Sequence, residues 1–290
     1  MVSAALFSVI IPTWRRSASL RQALGKIFTC DPAPAEVLVH IDAGDDETAP
    51  MLEREFAGRV TWFQSKTPQG PGGGRNLLLR RAKYSLVASF DDDSWPLEVD
   101  YFATVAKLMA TNPRAAVFTG RVTLRGERPQ AAVIAVWPVA SFEGCACVYR
   151  REAFLATRGF MPLRHAYGME EVDVALQLMD AGWDILRAPA LKIYHDTELE
   201  HHVSPKINAA HITNTALLTY LRYPLLFWPL GVFQVLNRVR YAMAMKRWRG
   251  IIQGLISIPT TCWKYRIYRK QITAATLRIS RQLARNKFKK

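Results

Sequence analysis

Acidic residues are missing from the last ninety positions of this 290-residue chain. The final carboxylate is Glu200, and the segment from His201 to Lys290 carries 17 lysines and arginines. The first 200 residues hold the other 22 basic residues and all 24 acidic ones, so they are close to neutral. This division predicts a near-neutral folded body followed by a basic region with a different task.

Other absences exclude several classes of protein. The chain has no internal repeat or low-complexity run, and half of its residues are hydrophobic, so it can bury a sizeable core. The N-terminus has no basic stretch before its first apolar run and no small-residue cleavage site, so we expect no signal peptide and a cytosolic body. The few cysteines lack the spacing of a zinc site, which predicts inert thiols in a reducing compartment. They are Cys30, Cys145, Cys147 and Cys262.

Short β-branched runs alternate with helical periodicity through the first hundred residues. Runs such as "FSVIIPTW", "EVLVHI" and "YSLVASF" predict buried strands. The segment "PQGPGGGRN" (68–76) predicts a loop, because three consecutive glycines after Gly70-Pro71 oppose regular structure. Alternating strands and helices indicate an α/β fold with a mainly parallel sheet.

Polar residues follow four of the predicted strands. Thr13 follows the first, Asp42 the second, the glycine-rich segment the third, and Asp91–Asp93 the fourth. In open sheets of this kind, ligands bind beyond the carboxyl ends of the strands. We therefore expect one crevice lined by these four segments.

Three adjacent carboxylates at a strand end need a positive partner. Asp91, Asp92 and Asp93 repel one another, and burying them is costly without a counter-charge. A hard divalent cation with oxygen ligands meets this need, and Mg²⁺ usually carries substrate phosphates as well. The alternative interpretation is an acidic surface turn.

The glycine-rich segment has neither the G-x-G-x-x-G pattern of a dinucleotide site nor the G-K-[ST] ending of a P-loop. Its glycines permit close approach of a backbone, and Arg75 at the start of the following helix offers a cation to a phosphate. A flexible surface loop is the alternative.

A second acidic group opens a predicted helix in "YGMEEVDVALQLMD". Glu170, Glu171 and Asp173 lie in its first turn, where the helix dipole favours acids in any protein. The functional alternative is a general base aimed into the crevice. Further along, His195 ends a predicted strand beside Asp196, which makes it a candidate metal ligand.

Five motifs together are similar to those of family 2 glycosyltransferases, over residues 7 to about 225. They are "FSVIIPTW", "VLVHIDAGDDET", "GPGGGRN", "FDDDSWP" and "GMEEVDVALQLMDAGW". Members of that family are inverting enzymes with the GT-A fold, a Rossmann-like nucleotide-sugar-binding domain. The aspartates resemble the D-x-D motif, which implies Mn²⁺ or Mg²⁺ bridging the diphosphate of a nucleotide sugar.

The resemblance also implies which residues bind the nucleotide sugar. Asp42 would bond the nucleobase, usually uracil or thymine, and Arg75 with the glycines would lie beside the diphosphate. The full set of donor-binding positions is Pro12, Thr13, Asp42, Gly73, Arg75, Asp91 and Asp92.

Metal, base and acceptor positions follow from the same resemblance. Asp93 and His195 would hold the metal. Glu171 falls at the position of the catalytic base, with Glu170 as the alternative, because many members carry "ED" where this chain has "EE". Gly144, in "GCACVYRREAF", and Asp173 would lie on the acceptor side.

The basic region contains one long apolar run, Ala216–Leu236, with a single charge at Arg222. It nearly reaches the length of a transmembrane helix, but Pro224 and Pro229 oppose a clean span. Aromatic residues interleaved with arginine and lysine are typical of helices lying on an anionic membrane surface. A true span and ordinary packing against the body are the alternatives. Nucleic acid is not an expected partner, since the apolar runs are too continuous and no nucleic-acid motif occurs.

These patterns predict a GT-A domain over residues 1–215 and a membrane-interface helical region over residues 216–290. The predicted enzyme moves a sugar from a UDP- or dTDP-sugar to a glycan or glycolipid acceptor, at the cytoplasmic face of the membrane, in surface polysaccharide assembly. One rival is a nucleotide-sugar pyrophosphorylase, which needs a longer glycine-rich signature than "PTWRRS" after the first strand. The other is a catalytically silent membrane scaffold, which "EE" in place of "ED" would suit.

Overall fold

The computed structural model of the chain describes residues 6–128, 135–163, 168–197 and 204–286. Within those ranges nine strands form one sheet. The strands are β1 (Phe7–Thr13), β2 (Glu36–Ile41), β3 (Thr61–Gln64), β4 (Leu86–Phe90), β5 (Ser94–Pro96), β6 (Ala115–Leu124), β7 (Trp137–Pro138), β8 (Ala146–Arg150) and β9 (Asp184–His195). The helices are α1 (Ser17–Ile27), α2 (Thr48–Glu55), α3 (Gly70–Arg81), α4 (Tyr101–Thr111), α5 (Arg151–Leu155), α6 (Glu170–Asp180), α7 (Pro205–Arg222), α8 (Trp228–Ala244), α9 (Ile251–Lys264) and α10 (Ala274–Asn286).

The sheet has a parallel half and a mixed half. Strands β3, β2, β1 and β4 lie side by side and are all parallel. Strand β8 then pairs antiparallel with both β4 and β6, and β9 pairs parallel with β6. The short strands β5 and β7 pair antiparallel with β9. The predicted α/β class is confirmed.

Strand β1 shows why the sheet is covered on both faces. All seven of its side chains are buried, as expected for a central strand between two helical layers. Alternate side chains point to opposite faces. Val9 packs in the same cluster as Leu20 of α1, whereas Ile10 packs in a second cluster with Leu78 of α3.

The prediction of a loop over residues 68–76 is wrong, because α3 begins at Gly70 and includes all three following glycines. The Asp42 carboxylate, which follows β2, accepts the backbone N–H groups of Gln69 at 2.9 Å and Gly70 at 3.0 Å. Those bonds satisfy groups that the first turn of a helix leaves unpaired. Pro71 also suits the first turn, where its missing N–H costs nothing. The glycines serve close packing inside a helix rather than chain flexibility.

The C-terminal helices pack onto the body through α7 and α10. A third apolar cluster joins Leu176 of α6 to Leu217 and Leu221 of α7. The expected boundary after residue 215 therefore lies inside a helix. The apolar run Ala216–Leu236 is broken by the end of α7 and a 3₁₀ turn before α8 begins. No helix in the described ranges has both the length and the apolar character needed to cross a membrane.

Candidate active site

The carboxyl ends of β1, β4 and β9 meet at one point. Thr13 ends β1, and its Oγ1 donates a hydrogen bond to Asp92 Oδ2 at 2.8 Å. His195 ends β9, and its Nε2 lies 3.0 Å from Asp93 Oδ1. Since both aspartates follow β4, the predicted convergence of strand ends is confirmed for these segments.

Two arginines balance the three aspartates. Arg75 forms an ion pair with Asp91. Arg16 reaches the other two, with Nη1 2.9 Å from Asp92 Oδ1 and Nη2 2.6 Å from Asp93 Oδ2. Burial raises the pKa of Asp92, and the charge of Arg16 opposes that rise. The Arg16 side chain is 46% exposed, so this cation borders the open side of the cluster.

Asp93 has an unsatisfied oxygen. The residue is 3% exposed, and its Oδ1 forms an ion pair with His195 Nε2 at 3.0 Å but is otherwise without a hydrogen-bond partner among the described residues. Asp91 Oδ2 lies 4.0 Å from the same nitrogen. Burial alone would lower the pKa of His195, but Asp93 and Asp91 raise it above its ordinary value. An orphaned carboxylate oxygen facing an imidazole and a second carboxylate suits a divalent cation.

A cysteine completes this group of possible ligands. One ligand atom from each of Asp91, Cys145 and His195 can be chosen so that all three lie within 4.8 Å of one another. The sequence pointed to Asp93 and His195 for a metal. The structure adds Asp91 and Cys145 to the surroundings of the same imidazole.

Arg75 is a buried cation, 3% exposed. Its Nε donates to Ser89 Oγ at 3.2 Å, and that hydroxyl donates to the Gly144 carbonyl at 2.8 Å. Burial alone would lower the pKa of Arg75, but Asp91 and the two glutamates of α6 hold it above its ordinary value. The site's own acids and Ser89 engage the Arg75 guanidinium, and its expected place beside a diphosphate stays a prediction.

The two glutamates that open α6 differ in their surroundings. Glu170 is 5% exposed and its Oε1 has no hydrogen-bond partner among the described residues. It packs so closely on α3 that a Cβ at Gly72 would lie 2.0 Å from Oε1. Burial and the neighbouring charge of Glu171 raise the pKa of Glu170 to about 8.

Glu171 is partly exposed and lies beside Gly144. A Cβ at Gly144 would lie 3.0 Å from Glu171 Oε1 and 3.2 Å from the Arg75 guanidinium, so only glycine leaves this space open. Burial raises the pKa of Glu171, and Arg75 opposes the rise. Of the two glutamates, Glu171 is the more exposed.

The remaining expected donor contacts lie on the β1 and β2 side of the site. Pro12 is buried in β1, and Gly73 is buried in the first turn of α3. Asp42 is partly exposed and holds the start of α3, as described above. Their roles toward a nucleotide stay predictions.

A family comparison decides the classification. The model for Glycosyl transferase family 2 matches residues 8–165, which is more than half of the chain. The chain belongs to glycosyl transferase family 2. Family membership takes away the support for the pyrophosphorylase alternative.

One curated relative of this family 2 protein comes from Campylobacter jejuni. It is named GalNAc(5)-diNAcBac-PP-undecaprenol beta-1,3-glucosyltransferase, and it is 32% identical over 89 residues. The match covers 30% of this chain, and the chain spans 29% of the length of that relative.

Solved structures share the fold at low identity. The mannosyltransferase PcManGT from Pyrobaculum calidifontis, in complex with GDP-Man and Mn²⁺, gives a TM-score of 0.62 at 18% identity, covering 97% of this chain and 85% of that one. S. aureus TarS residues 1–349, in complex with UDP-GlcNAc, gives 0.61 at 18% identity, covering 80% and 72%. GalNAc-T7 with UDP, GalNAc and Mn²⁺ gives 0.63 at 12% identity, covering 78% and 49%. The predicted GT-A fold is confirmed.

One acceptor-side prediction for this family 2 protein is wrong. Asp173 is fully buried and ion-paired with Arg222 of α7, which is also fully buried. Arg222 Nη2 donates to Asp173 Oδ2 at 3.1 Å, and Nε donates to Oδ1. An acceptor hydroxyl has no access to this carboxylate. The pair instead joins α6 to the C-terminal helices.

Sequence reasoning missed Arg16, Ser89 and Cys145. The sequence could have indicated Arg16, because "PTWRRS" contains two arginines shortly after the strand end at Thr13. Ser89 lies inside the apolar run of β4, and only the fold brings its hydroxyl to Arg75. Cys145 is distant in sequence from both Asp91 and His195, so no spacing rule could have joined them.

An open cavity of about 370 Å³ adjoins the start of α6. Its lining comes from α6, α7, α8 and the segments beside them: Gly168, Val172, Thr215, Leu218, Tyr223, Gln234, Asn237, Arg238 and Tyr241. Arg238 Nη2 lies 2.5 Å from His211 Nδ1, and its guanidinium lies over the Tyr241 ring. In the described ranges, Arg238 forms no ion pair with a carboxylate.

Proposed function

We propose that this family 2 protein is an inverting, metal-dependent glycosyltransferase that uses a UDP- or dTDP-sugar. The observation that carries the proposal is the placement of one buried arginine, Arg75, between the strand-end aspartates and the two glutamates of α6. Asp91 and both glutamates thereby lie around one guanidinium, which supports a shared site for donor and base. The complexes of TarS with UDP-GlcNAc and of GalNAc-T7 with UDP support a uridine nucleotide, and that of PcManGT with GDP-Man makes a guanosine nucleotide a useful comparison.

The chain's own residues fit a divalent cation. Asp93 and His195, with Asp91 beside them, would hold Mn²⁺ or Mg²⁺, and the orphaned Asp93 Oδ1 is the donor atom that supports this. Two of the structural neighbours were crystallised with Mn²⁺. When bound, the cation would neutralise charge that develops on the leaving diphosphate.

Glu171 is the proposed base. It would take the proton of an acceptor hydroxyl while that oxygen attacks the anomeric carbon and the bond from that carbon to the diphosphate breaks, in one inverting displacement. A pKa of about 8 keeps Glu170 protonated at neutral pH, since two adjacent buried carboxyls do not both ionise readily. Burial raises the pKa of Glu171 as well, and the charge of Arg75 opposes that rise.

Arg16 takes the role that the sequence suggested for Arg75. It is the half-exposed cation beside Asp92 and Asp93, so it can reach an oxygen of the donor diphosphate without leaving the cluster. A guanidinium is suited to bidentate contact with phosphate. Arg75 acts instead as a fixed positive charge that orients Asp91.

The proposed acceptor is a lipid-linked glycan, in the assembly of a bacterial surface polysaccharide or lipopolysaccharide-like glycan. The name of the Campylobacter relative describes an acceptor on undecaprenyl diphosphate. In this chain, α8 exposes Phe233 at 73% and Leu236 at 58%, and α9 exposes Ile252 at 73% and Ile256 at 70%. Exposed apolar side chains among arginines and lysines favour peripheral binding to an anionic membrane, which we propose is the cytoplasmic face.

The cavity beside α6 suits the phosphate end of such an acceptor. Arg238 is half-buried in its lining and has no carboxylate partner in the described ranges. Gly168 and Val172, which also line it, flank the α6 glutamates in sequence. An acceptor held there would present its glycan toward Glu171.

Titration calorimetry of the full chain tests the donor site. The protein is titrated with UDP, dTDP and GDP, each with and without Mn²⁺, alongside Asp93→Ala and the control Asp184→Ala, which changes a surface carboxylate paired with Arg114. Metal-dependent binding of UDP or dTDP that is lost in Asp93→Ala and kept in the control supports the proposal. No binding of any of the three nucleotides, with or without Mn²⁺, would overturn it.

A further inference from the structure

Cys145 contributes an unusual donor atom to the proposed cation site. It lies just before β8, and its carbonyl accepts a hydrogen bond from Ser94 Oγ at 2.9 Å, which fixes the backbone beside the aspartates. Its Sγ, one oxygen of Asp91 and one ring nitrogen of His195 all lie within 4.8 Å of one another. We propose that the Cys145 thiolate is a direct ligand of the divalent cation, so that this site prefers thiophilic ions over Mg²⁺.

The distances suit a single ion. Metal bonds to sulfur, nitrogen and oxygen are about 2.0–2.3 Å long, so two ligands of one tetrahedral ion are roughly 3.3–3.8 Å apart. The three ligand atoms lie within 4.8 Å of one another, so side-chain shifts of up to about 1 Å bring them to that spacing.

A second observation points to an ion at the same place. Asp93 is 3% exposed, and its Oδ1 has no hydrogen-bond partner among the described residues although it lies 3.0 Å from His195 Nε2. Asp93 is not part of the three-residue group, but it contacts the same imidazole. Asp91, His195 and Cys145 supply one oxygen, one nitrogen and one sulfur donor.

The thiol changes which ions the set accepts. Carboxylates and waters suit Mg²⁺ and Mn²⁺ alike, whereas thiolate favours softer ions such as Zn²⁺, Co²⁺ and Cd²⁺. On binding, the S–H bond breaks, its proton passes to solvent, and a sulfur–metal bond forms, so no oxidant or reductant is involved. We expect Mn²⁺ to be tolerated and Mg²⁺ to be disfavoured relative to a site with oxygen and nitrogen ligands alone.

Cobalt spectroscopy of the full chain tests this inference, which rests on the proposed metal site. Co²⁺ is titrated into the wild type, Cys145→Ser and the control Cys262→Ser, whose thiol lies far along the chain in α9. Thiolate bound to Co²⁺ gives a charge-transfer absorption in the near ultraviolet that oxygen and nitrogen ligands do not give. We expect this band in the wild type and in Cys262→Ser and its loss in Cys145→Ser.

Calorimetry with Cd²⁺ and Mg²⁺ gives a second readout. Cys145→Ser should weaken Cd²⁺ binding by at least about tenfold, because a lost direct ligand costs no less than a lost supporting contact, and should leave Mg²⁺ binding nearly unchanged. Wild-type protein that binds Co²⁺ without the charge-transfer band would overturn the role of Cys145 and leave the metal site standing. Wild-type protein that binds none of these ions would overturn both.

Discussion

The buried ion pair between Arg222 and Asp173 makes a prediction about stability. Both side chains are fully buried, and Arg222 Nη1 also donates to the carbonyls of Tyr268 at 3.0 Å and Lys270 at 3.2 Å. Arg222→Met keeps the length and apolar stem of the side chain but leaves Asp173 as an uncompensated buried charge. Breaking such a pair from one side costs about 3–5 kcal/mol, and each lost bond to a carbonyl costs about 0.5–1.5 kcal/mol more. We expect the free energy of unfolding to fall by at least about 4 kcal/mol.

Urea denaturation followed by circular dichroism measures the effect. The double variant Arg222→Met, Asp173→Leu removes both charges, so it should recover most of the loss and unfold within about 2 kcal/mol of the wild type. The control is Arg21→Met, which breaks the exposed pair with Glu55 and should cost about 0–1 kcal/mol.

Two results would refute this reasoning. If Arg222→Met were as stable as Arg21→Met, the buried pair would not be the link that holds α6 to α7. If the double variant were no more stable than Arg222→Met, the loss would come from packing and carbonyl contacts rather than from an uncompensated charge.

Further predictions concern the base, the pH dependence, the membrane and the acceptor. Glu171→Gln should lower turnover at least about 100-fold with donor binding unchanged, whereas Glu170→Gln should retain far more turnover; equal losses would contradict the choice of base. In the folded protein the pKa of Glu170 is raised from 4.5 to about 8, so the folded state holds this proton more tightly than the unfolded state does. The free energy of unfolding should therefore fall as the pH rises from about 4.5 to about 8, by up to about 5 kcal/mol. The urea concentration at the midpoint of unfolding should therefore change less between pH 5 and pH 9 in Glu170→Gln than in the wild type. Replacing Phe233 and Ile252 together by serine should lower binding to phosphatidylglycerol vesicles at least about tenfold in a sedimentation assay, and unchanged binding would count against the membrane surface. Arg238→Ala should raise the KM for a lipid-linked acceptor and leave the KM for the donor unchanged in steady-state assays; a change confined to the donor would refute the acceptor role of the cavity.

The fold was predictable where hydrophobic pattern alone decides structure. The all-buried run at β1 and the polar residues after β1, β2 and β4 predicted a sheet with its site at the strand ends. Local sequence rules failed for the glycine-rich segment. The Asp42 carboxylate, at the end of another strand, accepts the backbone N–H groups at the start of α3, and so the helix begins despite its glycines. Propensity describes a segment by itself, whereas this helix start depends on a partner distant in sequence.

The sequence predicted which residue types lie in the site better than it predicted which of them contact one another. The sequence indicated the aspartates, the glutamates and Arg75, but not that Arg75 is buried against Asp91 or that Arg16 is the more exposed cation beside Asp92. Asp173 belongs to the same helical turn as Glu171, yet Arg222 engages it in the interior. A helix places residues two apart on different sides. Sequence shows that both are acidic, and only packing shows which one meets a crevice.

The absence of acids after Glu200 has a consequence for ionic strength. Helices α8, α9 and α10 contain no carboxylate side chain, so none of them can form internal ion pairs between residues three or four apart. Within the described residues, Arg222 is the only cation beyond position 204 in an ion pair with a carboxylate. The other charges repel one another and must draw their counter-ions from outside the chain. Salt therefore acts in two opposite directions: it relieves repulsion among these helices, and it screens their attraction to an anionic surface. We therefore expect added salt to stabilise these helices and at the same time to weaken any binding to anionic vesicles.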